Sequence, residues 1–160
     1  MKFLEKTLEY VLASLMGIML ITVCWQVISR YILAEPSSFT DELARFLLIW
    51  IGMLGSAYAS GQHMHLAIDL LPSKLEGTKK FWLNMVIYSM VILFVTATFV
   101  IGGSRLVYMT TKLAQTSAAM QMPLAYVYSI LPISGVIILI YCVRDIFTEI
   151  NTPAISNQES

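Results

Sequence analysis

The chain has 160 residues, of which 58% are hydrophobic and 12% are charged, and its mean hydropathy is +0.74. This composition is outside the range of soluble domains and is typical of a membrane protein. Ten Lys and Arg residues balance ten Asp and Glu residues, which excludes the basic surface that nucleic-acid binding needs.

Four charge-free stretches predict an all-α membrane protein with four transmembrane helices. They cover residues 10–29, 46–62, 81–104 and 113–143, and the last can hold a span with an interfacial lead-in. A helix of ~20 residues is ~30 Å long, about the thickness of the hydrocarbon core. The first stretch has no small-residue cleavage site, which favours a retained helix over a signal peptide. We expect one domain over residues 1–150 and a flexible tail over 151–160.

The distribution of Lys and Arg predicts that both termini lie in the cytoplasm. Six basic residues fall on the predicted inner side, namely Lys2, Lys6, Lys74, Lys79, Lys80 and Arg144. Four fall on the predicted outer side, namely Arg30, Arg45, Arg105 and Lys112. The excess on the inner side is the pattern that cytoplasmic loops show.

A charged segment, FTDELARF, opens the second span on the predicted outer side. Asp41 and Glu42 complement the dipole of the helix N-terminus, and Thr40 is a candidate N-cap. Arg45 can pair with Asp41 or with Glu42. This capping role explains the residue types, and a docking surface for a soluble partner is the functional alternative. The candidate docking or anchoring residues are Arg30, Glu35, Asp41, Glu42, Arg45 and Arg105.

Prolines and small residues predict where the helices bend and pack. Pro123 suits the first turn of the fourth span, and Pro132 predicts a kink inside that span. Gly52, Gly55 and Ala59 are spaced three and four residues apart and predict a narrow face on which another helix can lie.

His63 and His65, with Asp69 as a third ligand, raise the hypothesis of a metal or haem site. A membrane haem needs imidazoles from facing helices at buried depth, whereas these two histidines are neighbours where the second span ends. No cysteine lies nearby to complete a metal site. The sequence therefore predicts no metal and no cofactor.

Two cysteines, Cys24 and Cys142, are predicted to lie towards opposite ends of the helices. Their Cα atoms would be farther apart than the limit of about 7 Å for a disulfide. The sequence also has no CxxC pair. We therefore predict two buried small hydrophobic residues and no thiol enzyme.

The charge-free stretches contain hydroxyl and amide side chains but no ionisable group. A transporter that works alone places such a group within the bilayer, so the chain is predicted to be a scaffold and not an enzyme. After the second span, Leu66, Leu70, Leu71 and Leu75 recur at helical spacing and predict a short amphipathic segment at the interface, interrupted by Pro72.

Four landmarks, in order, resemble the small membrane subunit, or Q subunit, of tripartite ATP-independent periplasmic (TRAP) transporters. They are QVISRYIL, FTDELARFLLIWIGMLGSAYA, GQHMHLAIDLLP and SAAMQMPLAYVYSILP. The resemblance covers nearly the whole chain. It implies a bacterial inner-membrane protein that binds a large membrane subunit, which carries the sodium and substrate sites and moves them by an elevator-like motion.

The resemblance also implies a periplasmic binding protein that delivers organic anions, with sialic acid and C4-dicarboxylates as the candidate solutes. The small subunit would extend the static scaffold of the large one without binding sodium or solute. Two alternatives stay open at this point. One is a small membrane redox or haem-anchor protein, and the other is a four-helix exporter that works alone.

Overall fold

Helices make up nearly all of the chain that the structure describes. The structure is a computed structural model that describes residues 2–33, 37–62 and 78–151. In chain order its helices are α1 Lys2–Tyr31, α2 Ser38–Gly61, α3 Thr78–Val95, a π-helical segment Thr96–Gly102, α4 Gly103–Lys112, α5 Leu124–Tyr128 and α6 Ile130–Asn151.

Four stretches of these helices are long and apolar enough to cross a membrane. We call them spans 1 to 4, and they cover Leu4–Tyr31, Ser38–Gly61, Trp82–Lys112 and Leu124–Phe147. Span 3 combines most of α3 with the π-helical segment and α4, whereas span 4 combines α5 with most of α6. The predicted all-α membrane fold with four spans is confirmed.

The four spans lie side by side in a row. Among the described residues, span 1 packs on span 2, span 2 packs on span 4, and span 4 packs on span 3. The two inner spans are the more buried ones. Along the most apolar stretch of each span, the buried share is 39% in span 4 and 17% in span 2, against 6% in each of spans 1 and 3. Most of the apolar surface of the two edge spans is therefore exposed.

A stripe of side chains joins span 1 to span 2. The less exposed positions along α1 include Leu8, Leu12, Leu15, Met19, Thr22, Gln26 and Ser29. Their spacing of three and four residues places them on one face, as in a left-handed coiled coil. Leu8 packs in one cluster with Leu54 of α2 and Tyr141 of α6. Span 1 thus buries a narrow stripe and exposes the rest of its circumference.

The two cysteines differ in burial. Cys142 is 1% exposed in the contact between span 4 and its neighbours, as predicted. Cys24 is exposed, so the prediction that it is buried is wrong. It lies two residues after Thr22, and two residues turn an α-helix by about 200°, which takes Cys24 away from the buried stripe.

The π-helical segment keeps one face of span 3 towards span 4. A π turn takes one residue more than an α turn. In an uninterrupted α-helix, the side chains of residues eight positions apart point in directions that differ by about 80° around the helix axis. The wider π turn reduces that angle. Val95 and Gly103, on either side of the segment, are both buried. Val95 packs with Ile138, and a Cβ added to Gly103 would lie 2.9 Å from the Cβ of Leu131.

Side-chain contacts join α1 and α6 near the helix ends that are closest to the two chain termini. Arg144 Nη1 donates to Glu5 Oε1 at 3.2 Å, which joins α6 to the first turn of α1. Arg144 Nε lies 3.3 Å from Asp145 Oδ1. These contacts place the ends of the first and last helices on the same side, as an N-in and C-in topology requires. The side of the membrane on which they lie stays a prediction.

Pro123 and Pro132 mark the start and the interruption of span 4. Pro123 is the N-cap of α5, in agreement with its predicted role. The helix breaks at Ser129, so Pro132 falls in the first turn of α6, where a missing N–H is tolerated. The break lies one turn before Pro132, and the predicted kink stays a prediction.

The spans extend beyond the charge-free stretches. Span 1 begins at Leu4, span 3 continues to Lys112 and span 4 continues to Phe147. A helix satisfies its backbone internally whatever its side chains are, so a polar residue does not end it. Arg105 and Asp145 therefore lie within helices long enough to cross the membrane but beyond the charge-free stretches, and the absence of ionisable groups from the bilayer itself stays a prediction. Asp145 is only 5% exposed.

Some predicted features lie outside the described residues. They are Glu35, His63, His65, Asp69 and the amphipathic segment over residues 66–75. Of the predicted tail over residues 151–160, only Asn151 is described, and it ends α6. The domain boundary at residue 150 stays a prediction.

Gly61 provides a test of the contact between spans 2 and 4. A Cβ at this position would lie 2.7 Å from the Cζ atom of Tyr141, whose ring is 0% exposed and has no room to move. We predict that Gly61→Ala lowers the free energy of unfolding by about 1–3 kcal/mol, the usual cost of overpacking a core. Reversible unfolding of the purified chain in detergent micelles measures this effect.

Gly17→Ala is the matched control. Gly17 is exposed on α1, and nothing lies within 4 Å of an added Cβ. Because Ala favours a helix over Gly by up to ~1 kcal/mol, this variant should be neutral or more stable. Equal stability of the two variants would contradict the close approach of Tyr141 to α2.

Candidate docking surface

The start of α2 is capped by Ser37. The Ser37 side chain accepts a hydrogen bond from the Thr40 N–H at 3.5 Å, while the Thr40 hydroxyl donates to the Ser37 carbonyl at 3.0 Å. The prediction of Thr40 as the N-cap is therefore wrong by one turn, because α2 begins at Ser38. Ser37 also connects back to span 1, since its N–H donates to Ser29 Oγ at 3.3 Å.

Asp41 holds spans 1 and 2 together at the predicted outer end. Gln26 Nε2 donates to Asp41 Oδ1 at 2.9 Å, and Arg45 Nη2 binds the other oxygen. Of the two partners predicted for Arg45, the structure selects Asp41. The amide of Gln26 lies in the buried stripe of α1, where a single polar contact can fix the register of two packed helices.

Glu42 binds the connection between spans 3 and 4. Its Oε1 atom accepts the N–H of Ala118 at 3.0 Å, and its Oε2 atom accepts those of Ala119 and Met120, each at 2.8 Å. Successive N–H groups of this kind form a concave anion site. Here the chain fills that site with its own carboxylate, and three donors stabilise the ionised form.

The connection over residues 113–123 is itself ordered by backbone hydrogen bonds. Ala114 N–H donates to Thr111 O and Gln115 N–H to Thr110 O, which is the Schellman arrangement at the end of α4. Ala114 has φ 46° at the position where Gly is usual. Beyond it, Ser117 N–H donates to Met122 O at 2.9 Å and closes the loop that Glu42 binds.

Three of the six predicted docking residues, Asp41, Glu42 and Arg45, are engaged within the chain. Both oxygens of Asp41 and both oxygens of Glu42 accept hydrogen bonds. Arg45 keeps 74% of its side chain exposed despite its contact with Asp41, and Arg30 is exposed at the end of α1. The surface available to a partner at this end therefore centres on Arg30 and Arg45.

Arg105 does not belong to this surface. It lies on α4, seven residues before the last helical residue, Lys112, and thus ~10 Å along the helix from the connection that Glu42 binds. The structure brings Asp41, Glu42 and Arg45 together but leaves Arg105 apart from them.

At Gly52 and Gly55, the predicted packing face on span 2 has open space within the described part of the chain. Nothing lies within 4 Å of a Cβ added to Gly52 or Gly55. Gly52 is exposed, while Gly55 and Ala59 are partly exposed. The close contacts between spans instead involve Gly61, Gly103 and Gly135. Packing on Gly52, Gly55 and Ala59 by a partner stays a prediction.

Two functional features were missed at the sequence level. The contact of Glu42 with residues 118–120 joins positions more than 70 residues apart, and no motif in SAAMQMP indicates it. The charge group at the other end, made of Glu5, Arg144 and Asp145, depends on helices that extend past the apolar stretches. The second feature could have been found by extending each predicted helix beyond its apolar stretch to a capping or breaking residue.

Within the described ranges, no group of three His, Cys, Asp or Glu side chains converges to hold a metal. Four apolar spans, with ion pairs at both ends, define a small helical membrane protein.

Residues 19–152 match the model of a family described as tripartite ATP-independent periplasmic transporters, DctQ component. The match covers most of the chain, so the chain belongs to this family of small TRAP permease subunits. The resemblance drawn from the four landmarks is thereby confirmed.

Individual relatives agree with the family. A Haemophilus influenzae protein, provisionally named TRAP transporter small permease protein, is 34% identical over 73 residues, which cover 46% of this chain and 45% of the relative. The sialic acid TRAP transporter small permease protein SiaQ of Vibrio cholerae is 28% identical over 101 residues, covering 63% and 58%. The chain thus spans about half the length of these two relatives.

A third relative is much longer than this chain. The isethionate TRAP transporter permease protein DctMQ of Oleidesulfovibrio alaskensis is 26% identical over 147 residues. These residues cover 86% of this chain but only 22% of the relative.

Glu42→Gln tests the attachment of the outer connection to α2. One oxygen becomes an NH₂ group, which cannot accept from a backbone N–H, so at least one of the three donors loses its partner. We predict that amide hydrogen exchange at residues 118–120 becomes several-fold faster. Mass-spectrometric exchange of the purified chain gives this measurement.

Glu9→Gln is the control, because Glu9 is an exposed acid near the start of α1, at the opposite end of the spans from Glu42. It should leave exchange at residues 118–120 unchanged. Unchanged exchange in Glu42→Gln as well would show that the connection keeps its shape without the carboxylate.

Proposed function

We propose that this chain is an auxiliary subunit that extends and stabilises the scaffold of a large, multi-spanning transport subunit. The observation that carries this proposal is the row of four spans, whose edge spans are only 6% buried along their most apolar stretches. Exposed apolar surface alone fits lipid as well as protein, and membership of the TRAP family favours a protein partner for part of it.

The longer relative supports a large membrane partner. The part of DctMQ that resembles this chain is about a fifth of that protein, and its name describes it as a permease. The sialic acid TRAP transporter permease protein SiaT of Haemophilus influenzae follows the same pattern, with 26% identity over 99 residues that make up 16% of its length. The rest of such a permease corresponds to the large transport subunit that we propose as the partner.

The transport reaction that we propose is sodium-coupled uptake of an organic anion, delivered by a periplasmic binding protein to the outer face of a bacterial inner membrane. Sialic acid is the first candidate, since two relatives are named for it, and another is named for isethionate, also an organic anion. C4-dicarboxylates are the second candidate. The excess of Lys and Arg supports placing both termini in the cytoplasm.

Purification of the tagged chain from solubilised membranes of its own host tests the subunit assignment. We expect one large multi-spanning protein to be recovered with it in about a one-to-one ratio, because part of the exposed apolar surface of the edge spans would pack on that protein. Recovery of a homo-oligomer that transports by itself in liposomes would refute the proposal. A coloured preparation with a haem spectrum would favour the redox alternative.

We further propose that Arg30 and Arg45 contact the periplasmic binding protein. Both are exposed at the same end, and a guanidinium group can bind a carboxylate of a soluble partner through two hydrogen bonds. The acids beside them are engaged in structural contacts. The expected ligand of this surface is therefore an acidic patch.

Replacing both arginines with Gln tests this contact. We expect the double variant Arg30→Gln, Arg45→Gln to need about two- to ten-fold more binding protein for half-maximal uptake, as for the loss of charges at the rim of an interface. Uptake into proteoliposomes at increasing concentrations of binding protein gives the measurement. Co-purification of the large subunit should be unchanged, and Lys6→Gln, at the opposite end, should behave as the wild type. Wild-type uptake in the double variant would rule out the contact.

A further inference from the structure

The connection between spans 3 and 4 is folded into a tight turn by its own backbone. Ser117 N–H donates to Met122 O at 2.9 Å, and Leu124 N–H donates to Gln115 O at 3.0 Å. Neither bond involves an acidic side chain. Residues 117–122, which we call the Ser117 turn, therefore have backbone contacts of their own that hold their shape.

Three successive N–H groups at the tip of the Ser117 turn converge on one place. The nitrogen atoms of Ala118, Ala119 and Met120 lie between 2.8 and 3.0 Å from the two carboxylate oxygens of Glu42. Successive backbone N–H groups arranged in this way form an anion-binding concavity, and such nests are used to capture carboxylates. The bound side chain thus shows which chemistry the turn accepts.

A fourth donor in the Ser117 turn is present and is not used. Ser117 is 4% exposed, and its Oγ atom makes no hydrogen bond within the part of the chain that the structure describes. It is close enough to the Glu42 carboxylate to interact with it electrostatically. A buried hydroxyl without a hydrogen bond is costly. A free anion is not tethered to α2, so it can shift within the turn to accept from this hydroxyl as well.

Glu42 can leave the Ser117 turn without a change in the backbone. Its side chain is partly exposed, and on the turn Ala118 is exposed. Rotation about the side-chain bonds of Glu42 is therefore enough to free the three N–H donors. Arg45 lies three residues further along α2, at a spacing that allows it to receive the released carboxylate. The released state leaves the donors open to solvent at the predicted outer end.

We propose that the Ser117 turn is a binding site for the carboxylate of a small organic anion, and that Glu42 occupies this site as a built-in competitor. The chemistry of the ligand follows from the carboxylate already bound there. Its source, a free organic anion, rests on the proposed function, in which such an anion is delivered to the outer face. While Glu42 is bound, it excludes free anions because a tethered group acts at a high effective concentration.

Glu42→Ala removes the competitor and opens the site to a probe, for which acetate is used. In the full-length variant, ~0.5 M acetate should slow amide hydrogen exchange at residues 118–120 by about three- to six-fold relative to ~0.5 M chloride at the same pH. This range is one plus the ratio of the acetate concentration to a Kd of about 0.1–0.25 M. Mass-spectrometric exchange in detergent micelles gives the measurement.

Glu9→Ala is the matched control, because Glu42 still fills the Ser117 turn in this variant. Exchange at residues 118–120 should be the same in acetate and in chloride for Glu9→Ala and for the wild-type chain. Equal exchange of Glu42→Ala in acetate and in chloride would overturn the proposal.

Glu42→Gln covers the case in which the alanine variant does not fold. Gln has nearly the size of Glu, but its amide is neutral, and hydrogen bonds to a charged acceptor are about twice as strong as neutral ones. Acetate should therefore displace the introduced amide and slow exchange at residues 118–120 here too. No effect of acetate on a folded Glu42→Gln chain would also contradict the proposal. Because this test uses the chain alone, its failure leaves the subunit assignment standing, and a failed co-purification leaves the acetate site standing.

Discussion

The carboxylate of Glu42 joins the start of span 2 to the connection between spans 3 and 4, more than 70 residues away in the chain. It accepts three N–H groups of that connection. Asp41, its neighbour, holds span 1 through Gln26. Two adjacent acids thus attach all the other spans to span 2 at one end of the row. Because hydrogen bonds are directional and apolar packing is not, these contacts set the relative heights of the spans.

At the opposite end, polar contacts close the row in a different way. Arg144 bridges Glu5 of the first helix and Asp145 of the last, and the Tyr141 ring lies against Gly61. Between these two ends, spans 3 and 4 pack closely enough to require glycine at positions 103 and 135. The row is therefore fixed at both ends by charge and in the middle by close packing.

A row exposes far more apolar surface than a closed bundle of the same four helices. In a soluble protein this exposure would cause aggregation, whereas in a membrane it is covered by lipid or by a neighbouring subunit. Under the proposed function this shape would suit the subunit, because it would cover a larger partner over a long edge with few residues.

The sequence by itself determined the membrane class, the four spans, the family and the start of span 4 at Pro123, because each depends on local composition or on motifs of adjacent residues. It did not determine where the spans end, since a helix continues through Arg105 or Asp145 while its backbone remains bonded. Only the tertiary structure decided that Glu42 binds residues 118–120, that Cys24 is exposed, and that Gly61 rather than Gly52 meets another span. These depend on which face of each helix turns towards its neighbours, and that choice is made by contacts between residues far apart in the chain.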